Sequence, residues 1–214
     1  MSGEPCAPHR PSPSGGETGM SAERGRGREL LANALVVLGE ATCAACDAAG
    51  PEEALRRITS RCPRLLGDHE AHLRPGALKA GERQFSVCGV FLLTPDGRQS
   101  LLVAEVGFPA EQHRLRIDAE LGHPGWVVRH RRPLLLANTD LDPNFRQILK
   151  TSRMGSALYA PMLWKDEFVG QLVLASQARD TYAQVDLDIL VTFAGVATAL
   201  WHAHNGPAWL STLG

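Results

Sequence analysis

Phe85-Ser-Val-Cys-Gly-Val-Phe-Leu-Leu, then Pro95-Asp-Gly, then Ser100-Leu-Leu-Val-Ala-Glu-Val-Gly: the reading of this stretch decides the fold. Two apolar runs rich in β-branched and aromatic residues flank a turn signal, in which Pro presets φ and Asp-Gly tolerates left-handed backbone. Strands joined by so short a connection pair antiparallel, because a parallel pair needs a crossover of a dozen residues or more. The pattern recurs downstream. Ser156 to Leu163 reads as a strand, Lys165-Asp-Glu as a tight turn and Val169 to Ser176 as the returning strand. Between the two hairpins, Leu115-Arg-Ile-Asp alternates apolar and polar, and Leu134-Leu-Leu-Ala reads as a brief buried strand. The result is a central antiparallel sheet of about six strands.

Helical periodicity surrounds this β-rich middle. Residues 28 to about 48 read as a helix, with Leu31, Leu35, Leu38 and Thr42 on one face and Ala34, Ala41 and Ala45 beside them. Gly50 is suited to stop it, and Pro51 opens a second helix with Glu52 and Glu53 in the first turn, where acids favour the helix dipole. That helix carries Leu55, Ile58, Cys62 and Leu65. Residues 66–84 read as a loop and Gly122-His-Pro-Gly as a turn, with Trp126 to Arg131 as a short helix after it. Asp142-Pro143 could cap a helix bearing Phe145 and Ile148. The last helix, 183–204, has Ile189, Leu190, Phe193, Val196, Ala197, Leu200 and Trp201 on its apolar face, where only Asp186 is polar. Strands that cluster and helices that gather on one face define an α+β architecture. The N- and C-terminal helices are expected together on that face. Residues 1–27, rich in Gly, Pro, Ser and Arg, read as a disordered tail, 28–204 as the folded domain and 205–214 as a frayed end.

The chain of 214 residues carries a formal net charge of −1, which gives no electrostatic grip on nucleic acid. The run Arg129-His-Arg-Arg is short enough to be a solvated turn. No stretch reads as the roughly 20 apolar residues that a bilayer span needs, and no charged head precedes an apolar run at the N-terminus. The expectation is a cytoplasmic chain with no membrane or nucleic-acid partner. Cys6, Cys43, Cys46, Cys62 and Cys88 are sparse and odd in number, which suits free thiols in a reducing compartment.

Four segments resemble the GAF domain family. Gly125-Trp-Val-Val-Arg-His-Arg-Arg-Pro-Leu-Leu-Leu-Ala-Asn-Thr-Asp is similar to the family's middle motif, and Gly155-Ser-Ala-Leu-Tyr-Ala-Pro-Met-Leu to its following strand. Phe168-Val-Gly-Gln-Leu-Val-Leu resembles the next strand, and Asp186-Leu-Asp-Ile-Leu-Val-Thr-Phe-Ala the closing helix. They occur in family order over roughly residues 50–203. The resemblance implies a GAF-like fold whose ligand lies between the sheet and the loops from about 107 to 155. Those loops supply Phe108, His123, Trp126, Asn138, Asp140, Phe145 and Arg153 as candidate ligand-binding residues: apolar walls with a few polar groups. Asn138 and Asp140 also suit local hydrogen bonds to the loop backbone.

The resemblance further implies a small-molecule-binding sensory or regulatory domain rather than an enzyme. With no output module of its own, it would act through a partner protein such as a kinase or a transcription regulator, and as a homodimer through its terminal helices. No cofactor is expected. A cysteine-based redox or metal sensor is the alternative: Cys43 and Cys46 share a helix face at i and i+3, and Cys62 and Cys88 complete the four thiolates that zinc or an iron–sulfur cluster uses. One branch of the family reduces free methionine sulfoxide with cysteines of the pocket loops, but no cysteine lies between 89 and 214. Bilin attachment lacks a Cys-His pair. His69 and His72 sit in the polar stretch Asp68-His-Glu-Ala-His, which suits a solvated loop, and a haem ligand would have to come from the pocket, where His123 and His130 are the candidates.

Overall fold

The computed structural model of the protein describes residues 16–213 except 144, 146 and 148–152, with backbone alone over 16–26. Helices α1 (Gly16–Cys46), α2 (Pro51–Thr59) and α3 (Cys62–Leu65) lead into β1 (Ser86–Leu93), β2 (Gln99–Val106) and β3 (Arg116–Asp118). After α4 (Gly122–His130) come β4 (Leu134–Leu136), β5 (Ser156–Trp164) and β6 (Glu167–Ser176), then α5 (Gln184–Ala203) and α6 (Gly206–Ser211). The six strands form one sheet in the order β3-β2-β1-β6-β5-β4, every neighbour antiparallel. The architecture is the α+β arrangement read from the sequence.

Turn chemistry sets both hairpins. Between β1 and β2 the Thr94 N–H donates to Gln99 O at 2.8 Å, and Gly97 takes the left-handed conformation with φ 72°. Between β5 and β6, Lys165 and Asp166 both have positive φ, the two-residue geometry whose twist matches that of the flanking strands. Gly170 on β6 allows close backbone approach, since a Cβ there would lie 2.6 Å from Phe91 O on β1. Pro161 is tolerated inside β5 because β4 ends its pairing at Leu134 opposite Tyr159, leaving no strand beside the proline on that side.

The two sheet faces bury different things. One carries Cys88, Val90, Leu92, Leu101, Val103, Leu158, Met162, Leu172 and Leu174, packed against α2 and α5. Phe193, Leu190, Leu55 and Ile58 are fully buried there. Helix α1 packs on α2 and α5 and forms an outer layer through Ala34, Ala41 and Ala45. The Asp186 carboxylate, 4 % exposed, accepts from Ala183 N–H and Gly67 N–H at 2.9 and 2.8 Å, which satisfies it and caps α5. The other face carries Val87, Phe91, Leu102, Ile117, Ala157, Tyr159, Val173 and Ala175, covered by α4 and the loops.

Several local expectations are corrected. Helix α1 runs back to Gly16, well into the stretch read as a tail, where Met20, Ala22, Glu23 and Arg24 are good helix formers; residues 1–15, Cys6 among them, lie outside the described residues. Gly50 is extended at φ −178°, and α1 ends before it. Leu31 and Leu35 point outward while the alanines pack. The helix begun at Pro51 breaks after Thr59 and resumes with Pro63 in α3. The turn expected at 122–125 is the first turn of α4. Phe145 is not helical, and Ile148 lies outside the described residues. The end read as frayed holds α6, whose Leu210 is buried in the helix-side core. By length and composition, Gly27–Cys46 and Gln184–Ala203 are also apolar enough to cross a membrane, which the sequence reading did not count; α5 is mostly buried as the core helix.

Phe193→Ala should destabilise the fold by about 3–5 kcal/mol, the cost of a large core cavity, whereas Leu73→Ala at an exposed position should stay within about 0.5 kcal/mol. Urea unfolding of both variants checks this, with equal losses contradicting the assigned core.

Candidate functional site

The site grows from the crossing of α4 over the loop face. Asp118 turns the chain after β3 by accepting from Glu120 N–H at 2.8 Å. Gly125 lets the new helix close on that turn, since a Cβ there would fall 2.1 Å from the Glu120 carbonyl carbon. Arg131, left-handed at φ 53°, ends α4, and its guanidinium donates to Asp166 O at 2.7 Å. A cleft of about 650 Å³ opens beside α4, lined by Glu120, Leu121, Gly122, His123, Trp126, Arg129, Leu134, Asp142 and Pro143. That volume lies in the range of small-molecule sites.

His123 is the buried polar group of the cleft. Its Nε2 lies 3.0 Å from Asp142 Oδ2, its ring stacks on Phe145 at 5.6 Å, and its Nδ1 is buried without a partner among the described residues. Beneath the same helical turn, Gln171 on β6 is fully buried. Its Nε2 donates to Pro124 O at 3.3 Å, and its Oε1 is likewise buried and unpartnered. Two such atoms on neighbouring groups need explaining, because buried polar atoms nearly always find a partner.

The chain of contacts continues away from the cleft. Arg153 lies over the Phe145 ring at 4.8 Å, donates to Thr139 O at 2.7 Å and pairs with Asp140 at 3.2 Å. Asp140 also pairs with Lys79 at 2.7 Å and with Arg179 at 3.0 Å. Arg179, 2 % exposed, grips Glu82 through both terminal nitrogens. The Arg179 hydrogen bonds hold the Glu82 carboxyl below its ordinary value. Burial alone would raise the Asp140 carboxyl, but Lys79 and Arg179 outweigh it and hold it low. Arg179 thus joins the loop through Glu82, the loop of Asp140 and the segment leading into α5.

The predicted site residues divide accordingly. His123 and Trp126 line the cleft, with Trp126 also packed on His130 at 4.5 Å. Phe145 and Arg153 stand behind His123. Asn138 serves its own backbone, accepting from Asp140 N–H at 3.0 Å, whereas Asp140 is an ion-pair centre rather than a backbone tie. Phe108 packs on the same sheet face but does not line the cleft. Sequence reasoning missed Gln171, Arg179 and Glu82 and assigned Asp142 only a capping role. A glutamine inside the apolar run Val169 to Ser176 was the available signal for Gln171; Glu82 and Arg179 lie in aperiodic segments that offered none.

The cysteines do not assemble as the metal alternative required. Cys43 and Cys46 are exposed on α1, whereas Cys62 and Cys88 are buried between the helices and the sheet, on the face opposite the cleft. Burial pushes the Cys88 thiol up, and the neighbouring Cys62 adds to this. Helix α1 holds one pair in the outer layer while α3 and β1 hold the other beneath it, so no three of the thiols gather among the described residues. One group of three potential ligands there is Glu52, Glu105 and His113, but Glu52 already pairs with Arg56 and Arg114. His69 and His72 bond to the backbone carbonyls of Arg64 and His69.

Fold and site together describe an α+β protein with a cleft between one sheet face and its crossing helix. The model of the GAF domain matches residues 50–199, and the chain belongs to the GAF domain family. No curated protein matches it. Among solved structures it resembles the GAF domain of a phosphoenolpyruvate-protein phosphotransferase from Coxiella burnetii, at 23 % identity and TM-score 0.66 over 82 % of this chain and 97 % of that one. A putative GAF sensor protein from Burkholderia vietnamiensis matches at 14 % identity and TM-score 0.63, over 84 % and 98 %. Free methionine-R-sulfoxide reductase from Neisseria meningitidis, in complex with its substrate, matches at 16 % identity and TM-score 0.62, over 80 % and 89 %. These likenesses show the shared fold. They also correct the expectation that the chain is no enzyme, since reductases are enzymes built on this same fold.

The depressed Glu82 and Asp140 pKa values make a signed prediction. Carboxyls whose folded pKa lies below the unfolded value contribute stability that is present above the unfolded pKa and lost as pH falls through the folded one. Stability should therefore drop on acidification below the ordinary carboxylate range. Arg179→Met should cost about 1–3 kcal/mol near neutral pH and flatten that acid slope, as measured by denaturant unfolding across pH. An unchanged slope would remove the network from the stability account.

Proposed function

We propose that the protein is a small-molecule-binding sensory domain that acts in signal transduction, in the cytoplasm, through a separate partner protein. Membership of the GAF family supports a ligand-binding sensory or regulatory role at the coarser level. The observation that carries the reading is the buried His123 Nδ1, without a partner among the described residues, in the wall of an open cleft that Trp126 and Leu134 also line, with Gln171 Oε1 buried beneath the same helical turn and likewise unpartnered. A ligand with one polar edge and one apolar or planar portion fits this wall: the edge meets His123 and the plane packs on Trp126. Arg129 and Glu120 at the rim add one charge of each sign.

Binding would be communicated through contacts already present. Movement of His123 or Asp142 is felt by Phe145, then Arg153, then Asp140 and Arg179, which fixes the segment entering α5. A ligand shifts such an equilibrium only by its differential affinity for the two arrangements.

The test is thermal unfolding and Trp fluorescence against a panel of amino acids, nucleotides and aromatic acids, with free methionine sulfoxide included. A true ligand at about 100 times its Kd should add about 2.7 kcal/mol, several degrees in midpoint. His123→Ala and Gln171→Leu should each lose most of that shift while retaining the fold. Equal ligand shifts in the wild type and both variants would place binding elsewhere and defeat the proposal.

A further inference from the structure

We propose that Cys43 and Cys46 form a thiol–disulfide exchange site, which a low-molecular-weight disulfide oxidises to one disulfide across the last turn of α1. Both thiols are free and exposed, on a helix that ends at Cys46. At i and i+3 they share a helix face, with Cβ atoms about 5–6 Å apart in regular α-helix. A disulfide needs about 3.5–4.5 Å. A last turn closes that gap by tightening to 3-10 spacing, in which i and i+3 eclipse, and helix ends do this readily. The chain already tightens at this place: Ala48 N–H donates to Ala45 O at 3.2 Å, an i to i+3 bond.

The contrast with Cys62 and Cys88 singles out this pair. Those two are fully buried between the helices and the sheet, and burial pushes the Cys88 thiol up, which keeps them from a reagent in water. At Cys43 and Cys46 the reaction is exchange. The thiolate of one cysteine attacks a sulfur of the small disulfide; a protein–small-molecule S–S bond forms, the original S–S bond breaks and one small thiolate leaves. The thiolate of the second cysteine then attacks the protein sulfur of that mixed disulfide and displaces the other small thiolate. Two protein thiols are oxidised, one small disulfide is reduced to two thiols, and the two protons pass from the first pair to the second.

The pair brackets a contact between helices. Ala45, between the two cysteines, is fully buried, and its carbonyl also accepts from His204 Nε2 at 2.9 Å, just past the end of α5. Drawing Cys43 and Cys46 together reorients that carbonyl, so the state of the thiols is felt at the end of α5. The cleft beside α4 lies across the sheet and takes no part in the exchange.

Peptide mapping of the full chain by mass spectrometry tests this, after reduction, desalting and incubation with oxidised glutathione. The wild type should show Cys43 joined to Cys46, with the loss of two hydrogens and no glutathione at either position. Cys43→Ser and Cys46→Ser should each stop at the mixed disulfide, gaining one glutathione on the remaining cysteine of the pair. Cys62 and Cys88 should stay reduced throughout. Amide hydrogen exchange around His204 should quicken when the wild type is oxidised, and stay constant when Cys43→Ser/Cys46→Ser receives the same treatment. Far-ultraviolet circular dichroism checks that the variants keep their helices. Glutathione retained on both cysteines of the pair, or a disulfide that recruits Cys6 or joins Cys62 to Cys88 instead, overturns the proposal. So does an unreacted pair under conditions that oxidise the free peptide Thr42-Cys-Ala-Ala-Cys-Asp. Constant exchange around His204 in the oxidised wild type overturns the coupling to α5.

Discussion

The Arg179 guanidinium, buried between Glu82 and Asp140, is the contact on which the arrangement of the loops depends. It sits where the chain leaves the last strand, and its backbone N–H also bonds Ala77 O at 3.0 Å. The next residue, Asp180, donates from its backbone to Ala137 O at 2.7 Å. Three aperiodic segments, which hydrophobic burial alone would leave loose, are thereby tied behind the cleft. A buried charge is costly unless it is fully paired, so this centre tolerates one arrangement of its partners and penalises others. That sensitivity suits a relay between a ligand loop and a helix.

The sheet separates two tasks. Its helix face carries the dense aliphatic core with Phe193, Leu55 and Met162, and there the cysteines Cys62 and Cys88 pack as small buried groups. Its loop face is more aromatic and more polar, with Tyr159, Phe91 and Gln171 under the single short helix that carries Trp126. The dense core lies on one side of the sheet and the open cleft on the other. Binding loops come from the less stable part of a fold by necessity, and the scaffold behind them must not yield.

The sequence made the sheet legible because period-2 burial and turn chemistry act locally: both hairpins, the brief strands and the α5 helix lie where their patterns put them. Helix boundaries were harder. Good helix formers over 16–27 are outnumbered by glycine and proline in the wider window, and α6 exists because Leu210 finds a tertiary cavity that no local pattern announces. The candidate site was half legible. His123 and Trp126 could be placed by the family resemblance, whereas Gln171 and Arg179 owe their importance to burial and long-range partners. The outward turn of Leu31 and Leu35 was hidden because a helix with apolar residues all round does not declare which face it packs.

The space beside α4 is proposed to hold a small molecule against His123, above the buried Gln171. Native mass spectrometry of the protein, isolated rapidly from cells without denaturation, tests it most directly. The account predicts a stoichiometric adduct of small-molecule mass on the wild type that is absent from the His123→Ala/Gln171→Leu double variant. An adduct retained in full by that variant, or one that maps to other residues, would contradict it.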